Sequence, residues 1–251
     1  MSDTVLLEPR VLAILAAIYV VGGFVKGAAA FGQPLFVIPL SSLILPVPTA
    51  IAVSVTPVFV TNVVQLVQNI GVWREARPYW IFYAAILVGM VIGLQALASV
   101  DQEALLVVIG VLILAFVATR LIQRRANYPP PPGRLLLVGT GFLSGLAAGT
   151  ASFVAFPSLL MLTSYDLDRR VFAFLTCVMF ILVTVMLTGG LAFFGLYGRD
   201  TLIAGLICIV PSAIGQTIGQ RVRDRMSDVL LRRIVLALLA GLGLSLILRS
   251  F

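Results

Sequence analysis

Residues 22–34 read GGFVKGAAAFGQP. They sit inside a long apolar run, yet they carry a lysine, Lys26, a string of small residues and a closing proline. Glycine tolerates non-helical backbone and proline lacks a backbone donor. The run therefore reads as two helices with a break over residues 28–34 rather than as one spanning helix. Pro34 suits the first turn of the second helix, where its missing N–H costs nothing. The stretch GLAAGTASF, residues 145–153, repeats the pattern and predicts a second break over 146–153.

The rest of the chain names the solvent around these breaks. Of its 251 residues 61% are hydrophobic and 11% charged, where an ordinary soluble domain is nearer half apolar and a quarter charged. Too little polar surface exists to cover such a core, so the solvent must be lipid. Polar breaks divide the chain into apolar segments at 11–29, 34–46, 49–70, 79–99, 103–122, 134–149, 153–164, 170–194, 201–220 and 229–248. Several have the ~20 residues that a helix needs to cross a ~30 Å hydrocarbon layer. The opening MSDTVLLEPR carries acids before its first arginine, and apolar runs recur to the end, so no removable signal peptide is expected.

Between the two sets of segments lies RRANYPPPPGR, residues 124–134. Four consecutive prolines favour a stiff polyproline spacer. This linker divides a first membrane repeat, 1–123, from a second, 135–251. Gly23-Phe24-Val25-Lys26-Gly27 lines up with Gly141-Phe142-Leu143-Ser144-Gly145, and Pro39 with Pro157. Later, Gly89 and Gly93 match Gly215 and Gly219, and Asp101 matches Asp228. The matches keep one order, the mark of duplication. By the excess of arginine in cytoplasmic loops, the turn with Arg74 and Arg77, the linker, the 166–170 turn and the 221–233 turn lie inside. With five segments in each half, the halves are expected to be inverted-topology repeats, each with a broken or re-entrant hairpin, and both termini face outward. A parallel repeat of four spans each, with 11–46 as one long broken helix, is the rival.

The fold class expected is thus an all-α integral membrane protein of 8–10 helical segments. Chemistry is narrowed by what is missing. The chain has no histidine, its two cysteines, Cys177 and Cys208, lie in apolar runs, and every acid lies near a segment end. No metal centre, no cofactor and no enzymatic activity are expected. The net charge of +7 comes from arginines between apolar runs, which reads as topology control and not as nucleic-acid binding.

Breaks at corresponding places in two halves point to a substrate site near the midplane. Helix N-termini there would offer free N–H groups to an anion; tight helix packing by small residues is the alternative. An ammonium at depth costs several kcal/mol unless paired or hydrated, so Lys26 reads as the counter-charge of an anion, or as a head group reaching a wet vestibule. Asn62, Gln65 and Gln68 or Asn69 form a polar stripe, as do Gln216 and Gln220; Thr56 and Thr176 correspond; Gln33, Thr150 and Ser152 lie on the breaks. Amides in apolar helices also serve inter-helix hydrogen bonds. Trp73, Tyr79 and Trp80 read as an interfacial aromatic belt.

The stretch GFVKGAAAFGQPLFVIPL resembles the opening pattern GFxxGxxGFGxxxxxxPLL of the sulfite exporter TauE/SafE family. GFLSGLAAGTASFVAFPSLL is a looser second copy, with Gly149 and Thr150 where Phe31 and Gly32 would recur. The resemblance implies a permease for small anions, such as sulfite, sulfonates, other organosulfur compounds or carboxylates, in the bacterial cytoplasmic membrane. It puts Gly27, Phe31, Gly32 and Pro39, with Gly145 and Pro157, on the motif. The expected function is a secondary transporter working by alternating access, with an anion channel or a non-transporting assembly subunit as alternatives. Substrate contacts are expected from Lys26, Gly27, Phe31, Gly32, Gln33, Asn62, Gln65, Gly145, Thr150, Ser152, Thr176 and Gln216. The partners are the anion, the bilayer and a coupling ion, H+ or Na+; whether the protein is a homo-oligomer stays open.

Overall fold

Each apolar segment becomes a helix, and the punctuation between segments sets the ends. The computed structural model describes residues 6–29, 32–122, 128–223 and 228–248. Ten α-helices follow in order: α1 Pro9–Ala29, α2 Gln33–Ser41, α3 Val47–Gln68, α4 Trp80–Ser99, α5 Gln102–Ile122, α6 Arg134–Ala151, α7 Ala155–Ser164, α8 Arg169–Phe193, α9 Arg199–Arg223 and α10 Asp228–Leu248. Among the described residues, seven helices are long and apolar enough to cross a membrane. This is an all-helical, multi-pass membrane protein.

Local chemistry explains the boundaries. Pro34 sits in the first turn of α2 and Pro48 in that of α3, where a missing N–H is harmless. Asp168 caps α8 by accepting from the Arg170 N–H at 2.7 Å, satisfying one of the orphan donors of a helix start. Between α1 and α2, Gly32 takes φ +99°, a left-handed conformation that glycine adopts without the Cβ penalty. The segment expected at 34–46 is helical only to Ser41, because the chain must turn before Pro46 and Pro48.

The second break is narrower than 146–153. Residues 146–151 stay helical, since alanines favour helix and Gly149 packs against α4. The chain turns at Ser152, φ 55°, and departs from helix again at Phe156.

Two seams hold the bundle together. Along α1 and α9, Gly23 and Gly27 face the backbone of Ser212 and Gln216, while Gly215 and Gly219 face Val20 and Phe24. Along α4 and α6, Gly89 and Gly93 face Phe142 and Leu146, while Gly141 and Gly145 face Phe82 and Ile86. At each of these glycines a Cβ would strike a carbonyl oxygen of the partner helix. Small residues let helix backbones approach this closely in lipid. Residue numbers rise together across both seams, so each pair runs parallel. The glycines matched with one another on sequence thus occupy two similar seams, α1 on α9 and α6 on α4.

Tyr128, from the linker, pairs with Tyr165 beyond α7 as an isolated bridge, their rings 5.8 Å apart, and the Arg120 guanidinium donates to Thr163 Oγ1 at 2.8 Å. Trp73 is exposed and receives the guanidinium of Arg77 at 4.9 Å from its ring centroid, a cation–π contact. Trp80 is exposed as well, but Tyr79 is not part of the belt: it is buried in the main core. It closes the 3-10 turn Arg77–Tyr79, which swings its ring inward to pack with the core.

Candidate functional site

The last turn of α1 carries Lys26 into the protein. The side chain is 4% exposed, and its ammonium donates to Thr61 Oγ1 of α3 at 2.9 Å. Among the described residues no carboxylate pairs with it. Thr61 is held by its own helix: its hydroxyl donates to the Pro57 carbonyl at 2.9 Å, with Gln33 Oε1 at 3.4 Å as a looser alternative. Gln33, the first residue of α2, turns its amide the other way and donates to Ser212 Oγ of α9 at 2.9 Å. A chain of polar groups therefore links α1, α3, α2 and α9 around the backbone break.

Beside this chain is a recess of about 10 Å³, room for about one water molecule. Lys26, Gly32, Gln33, Pro34, Asn62, Thr176 and Phe180 line it. Asn62 gives one amide hydrogen to the Val58 carbonyl at 2.7 Å, and Thr176 gives its hydroxyl proton to the Phe172 carbonyl at 2.9 Å. Pro34 and Phe180 form an apolar wall, both buried.

The structure thus brings together Lys26, Gly32, Gln33, Asn62 and Thr176 out of the expected set. It places the others elsewhere. Gly27 and Gly145 lie on the seams against Gln216 and Ile86. Gln216 is partly buried and meets Gly27 through its backbone. Gln65 is partly buried on α3 beyond the recess, and Thr150 is partly buried with its hydroxyl given to the Leu146 carbonyl at 3.0 Å. Ser152 is buried at the end of α6 without reaching the recess. Phe31 lies outside the described residues.

Sequence reasoning passed over Thr61, Ser212, Pro34 and Phe180. Thr61 stands four residues after Pro57 and next to Asn62 on the polar stripe, which is a usable signal. Ser212 follows Pro211 in α9 and offers a weaker one. The second half has no ammonium at the equivalent place. There Ser144 Oγ accepts the Ser158 N–H at 3.0 Å, joining α6 to α7. Both cysteines are buried free thiols.

A helical bundle with membrane-length spans, short broken helices and a small polar recess beside a buried lysine defines a polytopic membrane protein. The family follows from the comparison with known ones: the model for Sulfite exporter TauE/SafE matches residues 14–246, and the chain belongs to that family. It is a multi-pass membrane protein of a transporter family, not of an enzyme family. No curated protein and no solved structure gives a match.

Proposed function

We propose that the protein is a secondary transporter that carries a small anion, an organosulfur compound, sulfite or a short carboxylate, across the bacterial cytoplasmic membrane, with the Lys26 recess as the binding site. The observation that carries this reading is Lys26 itself, a buried ammonium that meets no carboxylate among the described residues and borders a small recess. A cation in that setting is stable only if something completes it, and an anion brought in from water does so.

Residues 1–123 and 135–251 form the two repeats, joined by the linker at 124–134 on the cytoplasmic side. Helix directions support their inversion. Gly22 of α1 lies beside Gln33 and Val37 of α2, so α2 folds back along α1 and α3 leaves from the side where α1 began. Helix α4 then runs against α1, while α9 runs with α1 and α6 with α4. The first helices of the two halves run oppositely, as an inverted repeat requires. With the helices alternating in direction, the turn with Arg74 and Arg77, the linker and the 166–170 turn fall at one end, which supports that end as the cytoplasmic face.

With room for one water, the recess is a closed arrangement. An anion enters when the surrounding helices part, and it takes over donors now turned to neutral partners: Lys26 from Thr61 and Gln33 from Ser212. Releasing the Gln33–Ser212 bond frees α2 from α9, which links binding to movement and alternating access. Coupling rests on Na+ or H+, the latter carried on the substrate, because no buried acid stands at the site.

Counterflow in proteoliposomes tests the reading. Vesicles preloaded with unlabelled sulfite, an alkanesulfonate or acetate should show transient, saturable accumulation of the labelled anion. Lys26→Gln, checked for monodispersity and thermal stability, should lower the rate at least about thirtyfold, since one partner of a buried pair is lost. Non-saturating flux without counterflow would make the protein a channel, and no flux with any anion would overturn the assignment.

A further inference from the structure

Lys26 is the only lysine in the chain and the only formal charge lining the recess. Every other donor there is neutral and partly used. The ammonium keeps two N–H groups beyond the one given to Thr61, Gln33 keeps one beyond Ser212, and Asn62 keeps one beyond Val58. The hydroxyl that lines the recess turns a lone pair, not a proton, toward a ligand, because Thr176 has given its proton to the Phe172 carbonyl. Phe180 and Pro34 also line the recess, and their side chains offer nothing to a charged oxygen.

We infer that the recess is a one-charge site: it takes a monoanion whose far side is apolar or protonated, and it excludes a dianion of the same shape. This rests on the reading of the recess as the anion site. One ammonium neutralises one negative charge. A second, taken from water into this buried recess, would face aromatic carbon and a hydroxyl lone pair with no compensating cation among the described residues, and an uncompensated buried charge is strongly disfavoured. A methyl group in the same place meets Phe180 and Pro34, while a protonated oxygen donates to Thr176 Oγ1 or Asn62 Oδ1. For an oxyanion whose last proton titrates near neutrality, the form bound is the protonated monoanion, so sulfite itself would travel as hydrogensulfite.

The groups around Lys26 do not supply the missing charge. Helices α2 and α3 and the described side chains of α10 carry no titratable group. From α8 comes the Cys177 thiol, within electrostatic range of the ammonium, and α9 brings Cys208 and, at its ends, Arg199, Asp200, Arg221 and Arg223. None of these lines the recess.

The test uses the purified wild-type protein, so no variant has to fold. Calorimetry would compare methanesulfonate with sulfate, which share shape and differ in one charge, and acetate with malonate. Methanesulfonate should bind at least about a hundredfold tighter than sulfate, and acetate tighter than malonate. Raising the pH above the titration of hydrogensulfite should weaken sulfite binding more steeply than methanesulfonate binding, by about tenfold per unit. Sulfate or malonate binding as tightly as its partner, with sulfite binding flat in pH, would overturn the one-charge site while the anion site stands. Absence of binding by every anion would overturn both.

Discussion

A lone ammonium in a membrane interior is stable only through its neighbours, and for Lys26 the described neighbour is a threonine. Thr61→Val removes that acceptor at nearly constant volume. Leaving a charged donor unmet costs about 1–3 kcal/mol, so the apparent Tm of the empty protein should fall, and a saturating monoanion should restore most of the loss because it supplies the missing acceptor. A fall that no anion reverses would show that Thr61 only packs. Ser152 offers a second residue-level test. It holds φ 55° at the end of α6, its N–H bonded to the Ala148 carbonyl at 2.8 Å. Non-glycine residues are penalised in that conformation by roughly 1–2 kcal/mol, so Ser152→Gly should raise the Tm in detergent by a few degrees. An unchanged or lower Tm would mean that the buried hydroxyl earns its place.

Between helices, the seams and the Gln33–Ser212 bond make separable claims. Gly27→Ala and Gly145→Ala each drive a methyl group into a carbonyl of the partner helix, so each should destabilise by about 1–3 kcal/mol. Gly139→Ala, which meets nothing within 4 Å, should be neutral or mildly stabilising through helix propensity. Equal Tm values for the three would refute the seam. A double-mutant cycle on Gln33→Ala and Ser212→Ala should return a coupling of about 1 kcal/mol; strict additivity would deny the bond. These contrasts also show what the sequence could and could not disclose. The helices were legible because apolar length, proline and arginine punctuate them in one dimension, and the residues that share the recess, Lys26, Gly32, Gln33, Asn62 and Thr176, stood out because charge, amides and breaks are conspicuous in apolar helices. Gly27 and Gly145 lie on the seams, and sequence alone does not separate a small residue that admits a ligand from one that admits a neighbouring backbone. Thr61 and Ser212 stayed hidden because a single hydroxyl in an apolar helix ordinarily bonds its own preceding turn, and only packing brings one to Lys26 and the other to Gln33.

At the scale of the whole molecule, backbone-on-backbone seams resist sliding. Helices α1 with α9 and α4 with α6 should therefore move as rigid pairs, and alternating access should come from displacement of α2, α7, α3 and α8 around the breaks. Cysteine pairs on the outer edges of α1 and α9, in a background without Cys177 and Cys208, should cross-link without loss of counterflow. A cross-link between α3 and α8 should arrest it, and the opposite pattern would reverse the assignment of rigid and moving parts. The two positions matched on sequence differ in a way that fits this division: Lys26 carries an ammonium, and Ser144 ties α6 to α7. Because every other basic side chain is an arginine, Lys26 is also the chain's only side-chain target for amine-selective chemistry. Membrane-impermeant acylating reagents applied to each face of oriented vesicles would thus time the exposure of this one nitrogen, turning the protein's own composition into a native clock for which side of the membrane is open.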